Sequence, residues 1–481
     1  MKKLLYIAFA LLPLIGCNDF LDEVDQDKII PETTDHFAAL LLREFNYSSG
    51  TTDRSVNYMT DNLTERNGTD AFDTNKKKYK TYYTWQQEIE IDEDGQTVSS
   101  ANFAWGTLYE DIAIANYVIE LIDDAIGDIE EINYIKGEAY FIRAYAYFNL
   151  LNLYGVPFNE SSAASDLGVP LRLDTGVERT YRRSSVSECY EQIEADITNA
   201  ISLIDESGLT KSKWHPNVAT CNLLMSRVKL YQNKWDDVIA YADKVLENNS
   251  LTVMNTNIPF VSNENNEILY SFQTVNISDW SSGSAKYYAV SNELYNSFDN
   301  ADRRKEMFFA EITAETNEKY IWTNKYNTAF TTMGWSNFRV SEAIMNRAEA
   351  YAASNNATLA LDDIKTLHAH RYTAGSSIEY PENDSEVLSY VLDERRKEFC
   401  FEEHHRWFDL RRMNDRPEIK HVYSVIDDNG TLLQTETYTL FSDDPNYTLP
   451  LPLVERENNL IIRNVERYAK FPEIDEEVVI P

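Results

Sequence analysis

Apolar and small residues recur three and four positions apart along much of this chain, the spacing of one face of a helix. Across 133–154, Ile135, Ala139, Ile142, Ala146, Leu150 and Leu153 share such a face, and Gly155 and Pro157 then end the run. Ala144 and Ala146, set among large aromatics, predict a second helix packed closely against this one. Residues 103–122 have the same character and predict its antiparallel partner. Residues 216–248 read as a helix, a turn at Gln232-Asn233-Lys234, and a second helix with Trp235, Val238, Ala242 and Val245 inward. Residues 339–371 repeat the plan, with Ile344, Ala348 and Tyr351 on one helix, a turn near Asn355-Asn356, and Ala360, Ile364 and Leu367 on the next. Residues 186–204 and 386–413 supply further amphipathic helices. Each unit runs a little over thirty residues with small residues where helices cross, as a tetratricopeptide-type hairpin requires.

The period breaks in two places. Between 251 and 338 it gives way to mixed polar and aromatic sequence with Trp280, Tyr287, Tyr288, Trp322 and Trp335. Earlier, Tyr79, Tyr82, Tyr83 and Trp85 cluster before an Asp94-Gly95 turn. Late in the chain, Asn429-Gly430 lies between alternating residues, a hairpin signal. The fold class that follows is mainly α: a tetratricopeptide-like scaffold over about 103–154, 186–248 and 339–413, with loop-rich insertions at about 58–100 and 251–338 and a few short β-hairpins. Loops on a rigid scaffold are where binding residues concentrate.

The N-terminus changes the picture. Lys2 and Lys3 precede an apolar run from Leu4 to Ile15, about half the roughly 20 residues that span a bilayer, so it reads as an export signal. Leu14-Ile15-Gly16-Cys17 resembles the lipobox of bacterial lipoproteins, in which the cysteine is acylated and becomes the first mature residue. Residues 1–16 are then the removed signal, 17–27 an acidic tether, and 28–481 one unit. Cys189, Cys221 and Cys400 remain, an odd number that implies no disulfide framework; their apolar neighbours predict thiols packed as small hydrophobes in helices. With 44 Lys+Arg against 79 Asp+Glu, a net charge of -35, nucleic acid is a poor partner.

Several blocks, in order, resemble the SusD/RagB outer-membrane lipoproteins of Bacteroidetes: CNDFLDEVDQD, YEDIAIANYVIELID, IKGEAYFIRAYAYFNLLNLYGVPF, RRSSVSECYEQIEADITNAISLI, ENNEILYSF, FRVSEAIMNRAEAYAASNNATLAL, LDERRKEFCFEEHHRWFDLRR and LPLPLVEREN. They span nearly the whole mature chain. One departure is Phe401-Glu402-Glu403, where the family often shows Phe-Glu-Gly. The resemblance implies that acid and arginine pairs here, such as Glu394, Arg395 and Arg396 or Glu402, Arg406 and Asp409, fix the last helices. It also implies a lipid-anchored lid on the outside of the outer membrane. Such a lid covers a SusC-like TonB-dependent β-barrel, captures an oligosaccharide and passes it in without making or breaking a bond.

Sugar capture needs flat apolar faces ringed by hydrogen-bonding groups, which Trp and Tyr supply together. Of 31 Tyr and 8 Trp, those on periodic faces, such as Trp105, Tyr109, Tyr140, Tyr145, Trp214 and Trp235, read as core. The ligand-binding candidates are Tyr82, Tyr83, Trp85, Trp280, Tyr287, Trp322 and Trp335, with Asn276, Asp279 and Asn324 as hydrogen-bonding neighbours. Loop aromatics also close small satellite cores, and that reading stands beside the first. No cofactor is implied and no metal site is expected. His404 and His405 are adjacent, so on a helix they diverge by about 100° and read as surface residues. The run from Glu90 to Gly95 starts like a calcium loop, but Ala101 stands where a bidentate glutamate is needed, and a solvated turn explains it. There is no G-x-S-x-G, H-E-x-x-H or P-loop, so the chain is read as a binding protein and not an enzyme. A peptide-capturing lid of the RagB type and a tetratricopeptide scaffold that only assembles envelope proteins remain the alternatives.

Overall fold

The computed structural model describes residues 31–42, 54–66, 76–98, 102–176, 181–272, 287–326, 333–334, 336–427 and 429–475. The expected export signal, Cys17, the expected acidic tether, Asn276, Asp279, Trp280 and Trp335 lie outside the described residues. The chain runs through α1 (Thr34–Leu41), β1 (Leu63–Glu65), α2 (Lys77–Tyr83), α3 (Ala104–Leu121), α4 (Ile129–Tyr154), α5 (Val186–Ser207), α6 (Val218–Tyr231) and α7 (Trp235–Leu246). A mixed stretch follows with β2 (Ile268–Phe272), β3 (Tyr288–Val290), α8 (Asn292–Asn296), α9 (Arg303–Phe308), β4 (Phe309–Thr313), β5 (Lys319–Thr323) and β6 (Ser336–Arg339). The last part holds α10 (Val340–Ala353), α11 (Ala357–Arg371), α12 (Asp384–Phe399), α13 (His405–Arg412), β7 (Ile419–Ile426), β8 (Leu432–Leu440), α14 (Leu453–Asn458) and β9 (Glu473–Asp475).

The predicted helical pairs form. α3 packs on α4 and α4 on α5, while α6 pairs with α7 and α10 with α11. α10 also packs against α7 and α12, which ties the second hairpin to the first. Local sequence sets the ends. Ser185 and Glu188 form a capping box at the start of α5, and Gly208 closes that helix at φ 62°. Asn233 (φ 57°) and Asn355 (φ 59°) make the two hairpin turns in the left-handed region that asparagine tolerates. Cys189, Cys221 and Cys400 are free and buried. Burial pushes the Cys189 thiol up to about 12 and the Cys400 thiol up to about 11, so both stay protonated and inert.

The expectation of a single buried face fails for α4. Every residue from Phe141 to Tyr154 is buried, because α4 runs through the middle of the scaffold. Its polar members are matched one by one. Arg143 donates to both carboxylate oxygens of Asp196 (2.8 and 2.6 Å) and to Asn116 Oδ1 (2.8 Å), and Tyr145 donates to Glu403 (2.8 Å). At the C-terminal end, Leu153 O accepts from the Leu449 N–H (2.9 Å), Gly155 O accepts from Arg411 (2.6 Å), and Arg411 also donates to Asn152 O.

Residues 386–413 are two helices, not one. The break between α12 and α13 passes through Phe401 (φ 62°) and Glu403 (φ 42°), both left-handed. Glu403 thus occupies a region that glycine enters without a Cβ penalty. The same turn corrects the reading of His404 and His405 as surface residues. Both are buried: His405 stacks on Phe399 at 4.7 Å, and His404 Nδ1 lies 3.1 Å from Asn149 Oδ1.

The acid and arginine residues of this block do fix the last helices, chiefly through distant partners. Glu398 accepts from Arg339 (2.9 Å), Arg371 (3.1 and 2.9 Å) and Arg304 (3.4 Å). Glu402 accepts from Arg339 (2.9 and 2.8 Å) and Lys325 (2.7 Å), and Glu394 from Arg304 (2.8 Å). Arg395 pairs with Asp409 (3.1 and 2.9 Å), while Arg396 and Arg406 converge on Asp61. The strands form small antiparallel sheets: β1 with β3, β2 with β6, β4 with β5, and β7-β8-β9. The predicted hairpin is the β7-β8 pair, turned at Gly430 (φ 79°).

Candidate functional site

The aromatic candidates near residue 85 are core residues. Residues 77–83 form α2, and Tyr79 to Tyr83 are buried on every side of it, so no helical period marks the segment. Their polar ends serve the fold. The Tyr82 hydroxyl accepts from the Asn102 N–H (2.8 Å), the Tyr83 hydroxyl from the Glu65 N–H (2.9 Å), and Trp85 Nε1 donates to Met59 O (2.9 Å). His421 of β7 lies stacked between the Tyr83 ring (4.1 Å) and the Trp85 ring (4.3 Å). Tyr287 joins the same cluster through Tyr79 at 6.5 Å. Trp322 pairs across the β4-β5 hairpin with Ala310, and its side chain is also buried. The structure thus places Tyr82, Tyr83, Trp85, Tyr287 and Trp322 in the hydrophobic core, with no open ring face among the described candidates. Trp85→Ala is expected to destabilise the protein by about 3–5 kcal/mol, as for other buried Trp truncations, measured by denaturant unfolding.

An open cleft lies in the 251–338 insertion instead. Its volume is about 380 Å³, within the roughly 300–1,000 Å³ of small-molecule sites. One wall is the loop 256–260 with Ile258, Pro259 and Phe260; the other is α9 with Met307, closed by Asn324 and Lys325 just beyond β5. The loop is pinned at its ends. The Met254 N–H donates to His370 O (2.9 Å), Arg303 donates to Met254 O (2.7 Å), and Asn265 donates to Phe260 O (2.9 Å). Asn324 extends the β4-β5 pairing, its N–H donating to Phe308 O at 2.7 Å, which fixes its place at the cleft wall. Lys325 Nζ donates to Glu402 (2.7 Å) and to Glu398 O (2.8 Å), and sits 3.7 Å from the Phe308 ring centre.

The chemistry is that of a mixed surface. Ile258, Pro259, Phe260 and Met307 give apolar contact, while Thr256, Asn324 and Glu306 bring polar groups to the edge. A smaller adjoining cavity, which shares Ile258, Pro259, Phe260 and Met307 with the cleft, reaches Glu267 and Arg371. Of the residues named from sequence, Asn324 is the one placed here; Ile258, Pro259, Phe260 and Met307 were missed. Ile258, Pro259 and Met307 carry no flat ring, and Phe260 lacks the hydrogen-bonding group that singles out Trp and Tyr. A second opening of about 350 Å³ lies between the 80–93 segment, β8 and the C-terminal segment. Its polar lining is largely consumed by internal pairs, including Gln87 with Arg467 O (2.8 Å) and Glu88 with Arg456 (3.0 and 2.6 Å). The 90–95 run is a turn in which Asp92 accepts from the N–H groups of Asp94 (3.0 Å) and Gln96 (2.7 Å).

Comparison with known proteins adds three findings. A family model described as "Starch-binding associating with outer membrane" matches residues 19–230, and the SusD family model matches residues 315–465. SusD-like protein P2 of Formosa agariphila is 23% identical over 426 residues, covering 75% of this chain and 79% of that protein. Among solved structures, a SusD-like carbohydrate binding protein from Bacteroides vulgatus aligns with a TM-score of 0.68 at 20% identity, over 90% of this chain and 97% of the other. A SusD superfamily protein from Bacteroides thetaiotaomicron aligns with a TM-score of 0.68 at 22% identity, over 90% and 100% of the two chains.

Proposed function

Because this chain belongs to the SusD/RagB family, we propose that it is a cell-surface glycan-binding lipoprotein. In this reading it captures oligosaccharides and hands them to a SusC-like TonB-dependent outer-membrane transporter. The observation that carries the reading is the cleft between loop 256–260 and α9, where apolar side chains and the Asn324 carboxamide line one open space. A pyranose ring presents apolar C–H faces and a rim of hydroxyls, and this lining matches both. The description of the matched family as starch-binding and associated with the outer membrane supports the ligand class and the location. Capture needs no bond chemistry, so the chain acts as a carrier and not a catalyst. Trp280 and Trp335 remain proposed ligand contacts, while Tyr82, Tyr83, Trp85, Tyr287 and Trp322 are buried in the core and line no part of the cleft.

The mature chain is expected to bind members of one oligosaccharide class on a glycan array. Asn324→Ala is expected to weaken that binding about three- to tenfold, the loss of one or two hydrogen bonds, as read by calorimetry. Peptide binding without glycan binding would transfer the function to the peptide-capturing reading. Unchanged glycan affinity in Asn324→Ala would move the site away from this cleft.

A further inference from the structure

Building on the glycan-capture reading, we infer that the cleft between loop 256–260 and α9 selects uncharged sugar rings and rejects uronic-acid and sulfated ones. The titratable residues lining the cleft and its smaller neighbour are Glu264, Glu267, Glu306, Lys325 and Arg371. Recognition of a carboxylate or sulfate uses Arg or Lys donors that are open to the ligand. Both cations here are already neutralised. Lys325 is buried against Glu402 (2.7 Å) and Glu398 O (2.8 Å). Arg371 spends its donors on Glu267 (2.9 and 2.7 Å) and Glu398 (3.1 and 2.9 Å).

Of the consecutive cations of α9, Arg304 is buried on Asp302 (2.7 Å) and Glu394 (2.8 Å), while Arg303 and Lys305, half-buried, hold the backbone carbonyls of Met254 (2.7 Å) and Phe298 (2.9 Å) and do not line either cavity. The carboxylates of Glu306 and Glu264 are exposed and make no ion pair among the described residues. An anionic sugar seated here would meet fixed negative charge with its usual counter-donors closed off. The net charge of -35 on the whole chain acts in the same direction at longer range.

The test uses the mature chain and matched pairs of immobilised oligosaccharides: neutral glucans and galactans, and the same backbones oxidised to uronates at C6 or sulfated. The neutral member is expected to bind about tenfold tighter than its acidic counterpart at low salt. The gap is expected to narrow as salt shortens the screening length towards roughly 3 Å at 1 M. Glu306→Lys is expected to raise the acidic member's affinity about tenfold relative to the neutral member's. Equal or tighter binding of the acidic members overturns the inference, as does a Glu306→Lys protein with an unchanged ratio. Binding of neither kind removes the glycan-capture reading itself, and the inference with it.

Discussion

Glu398→Ala is expected to destabilise the protein by about 3–5 kcal/mol and to leave little folded protein at 37 °C, because it strips the acceptor from a buried charge cluster. Glu398 is fully enclosed and takes hydrogen bonds from Arg304, Arg339 and Arg371, which belong to α9, β6 and α11. Removing the carboxylate leaves three buried guanidiniums sharing fewer counter-charges. Urea unfolding monitored by circular dichroism measures the loss, and a change below about 1 kcal/mol would show the cluster to be dispensable. The same carboxylates set an acid limb. Burial raises the pKa of Glu398 and Glu394, but Arg371, Arg339 and Arg304 around Glu398, and Arg304, His368 and Lys397 around Glu394, outweigh it and hold both well below the ordinary value. For Asp61, burial is likewise outweighed by Arg406 and Arg396, which bring it to about 2. A depressed folded pKa stabilises the protein above the unfolded value of about 4 and is lost as pH falls further. Stability is therefore expected to decline below about pH 4, with the Asp61 contribution gone by about pH 2.

Cys17→Ala carries the second large effect, on location. If Cys17 bears the lipid, the variant is expected to leave the membrane fraction almost completely and appear in soluble fractions, followed by immunoblotting after fractionation. Its unfolding curve and glycan affinity are expected to match those of the parent released from its anchor, since the cleft lies in the 251–338 insertion. Retention of Cys17→Ala in the outer membrane would shift the anchoring to protein contacts. A soluble variant that has lost its affinity would tie ligand binding to the anchor.

The helical scaffold was legible because the second helix of each pair, α7 and α11, keeps an exposed polar face and both pairs change direction at asparagine turns. Where burial is complete, period stops carrying information. That is why α4 reads as one-faced although its last turns are enclosed, and why α2 reads as a loop. Tyr83 and Trp85 then pass for ligand contacts, because aromatic residues without a period look alike whether they face solvent or pack on His421. The break at Phe401 and Glu403 was hidden for another reason. Neither residue favours a left-handed backbone, and the turn they make is tied to distant partners of Glu402 and Glu403, Arg339 and Tyr145. The cleft was half legible through Asn324, while its apolar wall of Ile258, Pro259, Phe260 and Met307 carried no distinguishing mark.

The way α4 ends has a consequence for when the molecule can be finished. The carbonyls of Asn152 and Gly155 wait for Arg411, and that of Leu153 waits for the Leu449 N–H, partners that lie more than 250 residues further along. A nascent chain that has emerged only as far as α7 therefore has its central helix in place with an unsatisfied end. Closure before synthesis is complete is disfavoured by the price of leaving those carbonyls buried and unpaired. Such a chain stays loose while it is being made; were the run from Leu4 to Ile15 to act as an export signal, that looseness would keep the chain threadable until its C-terminal partners arrive.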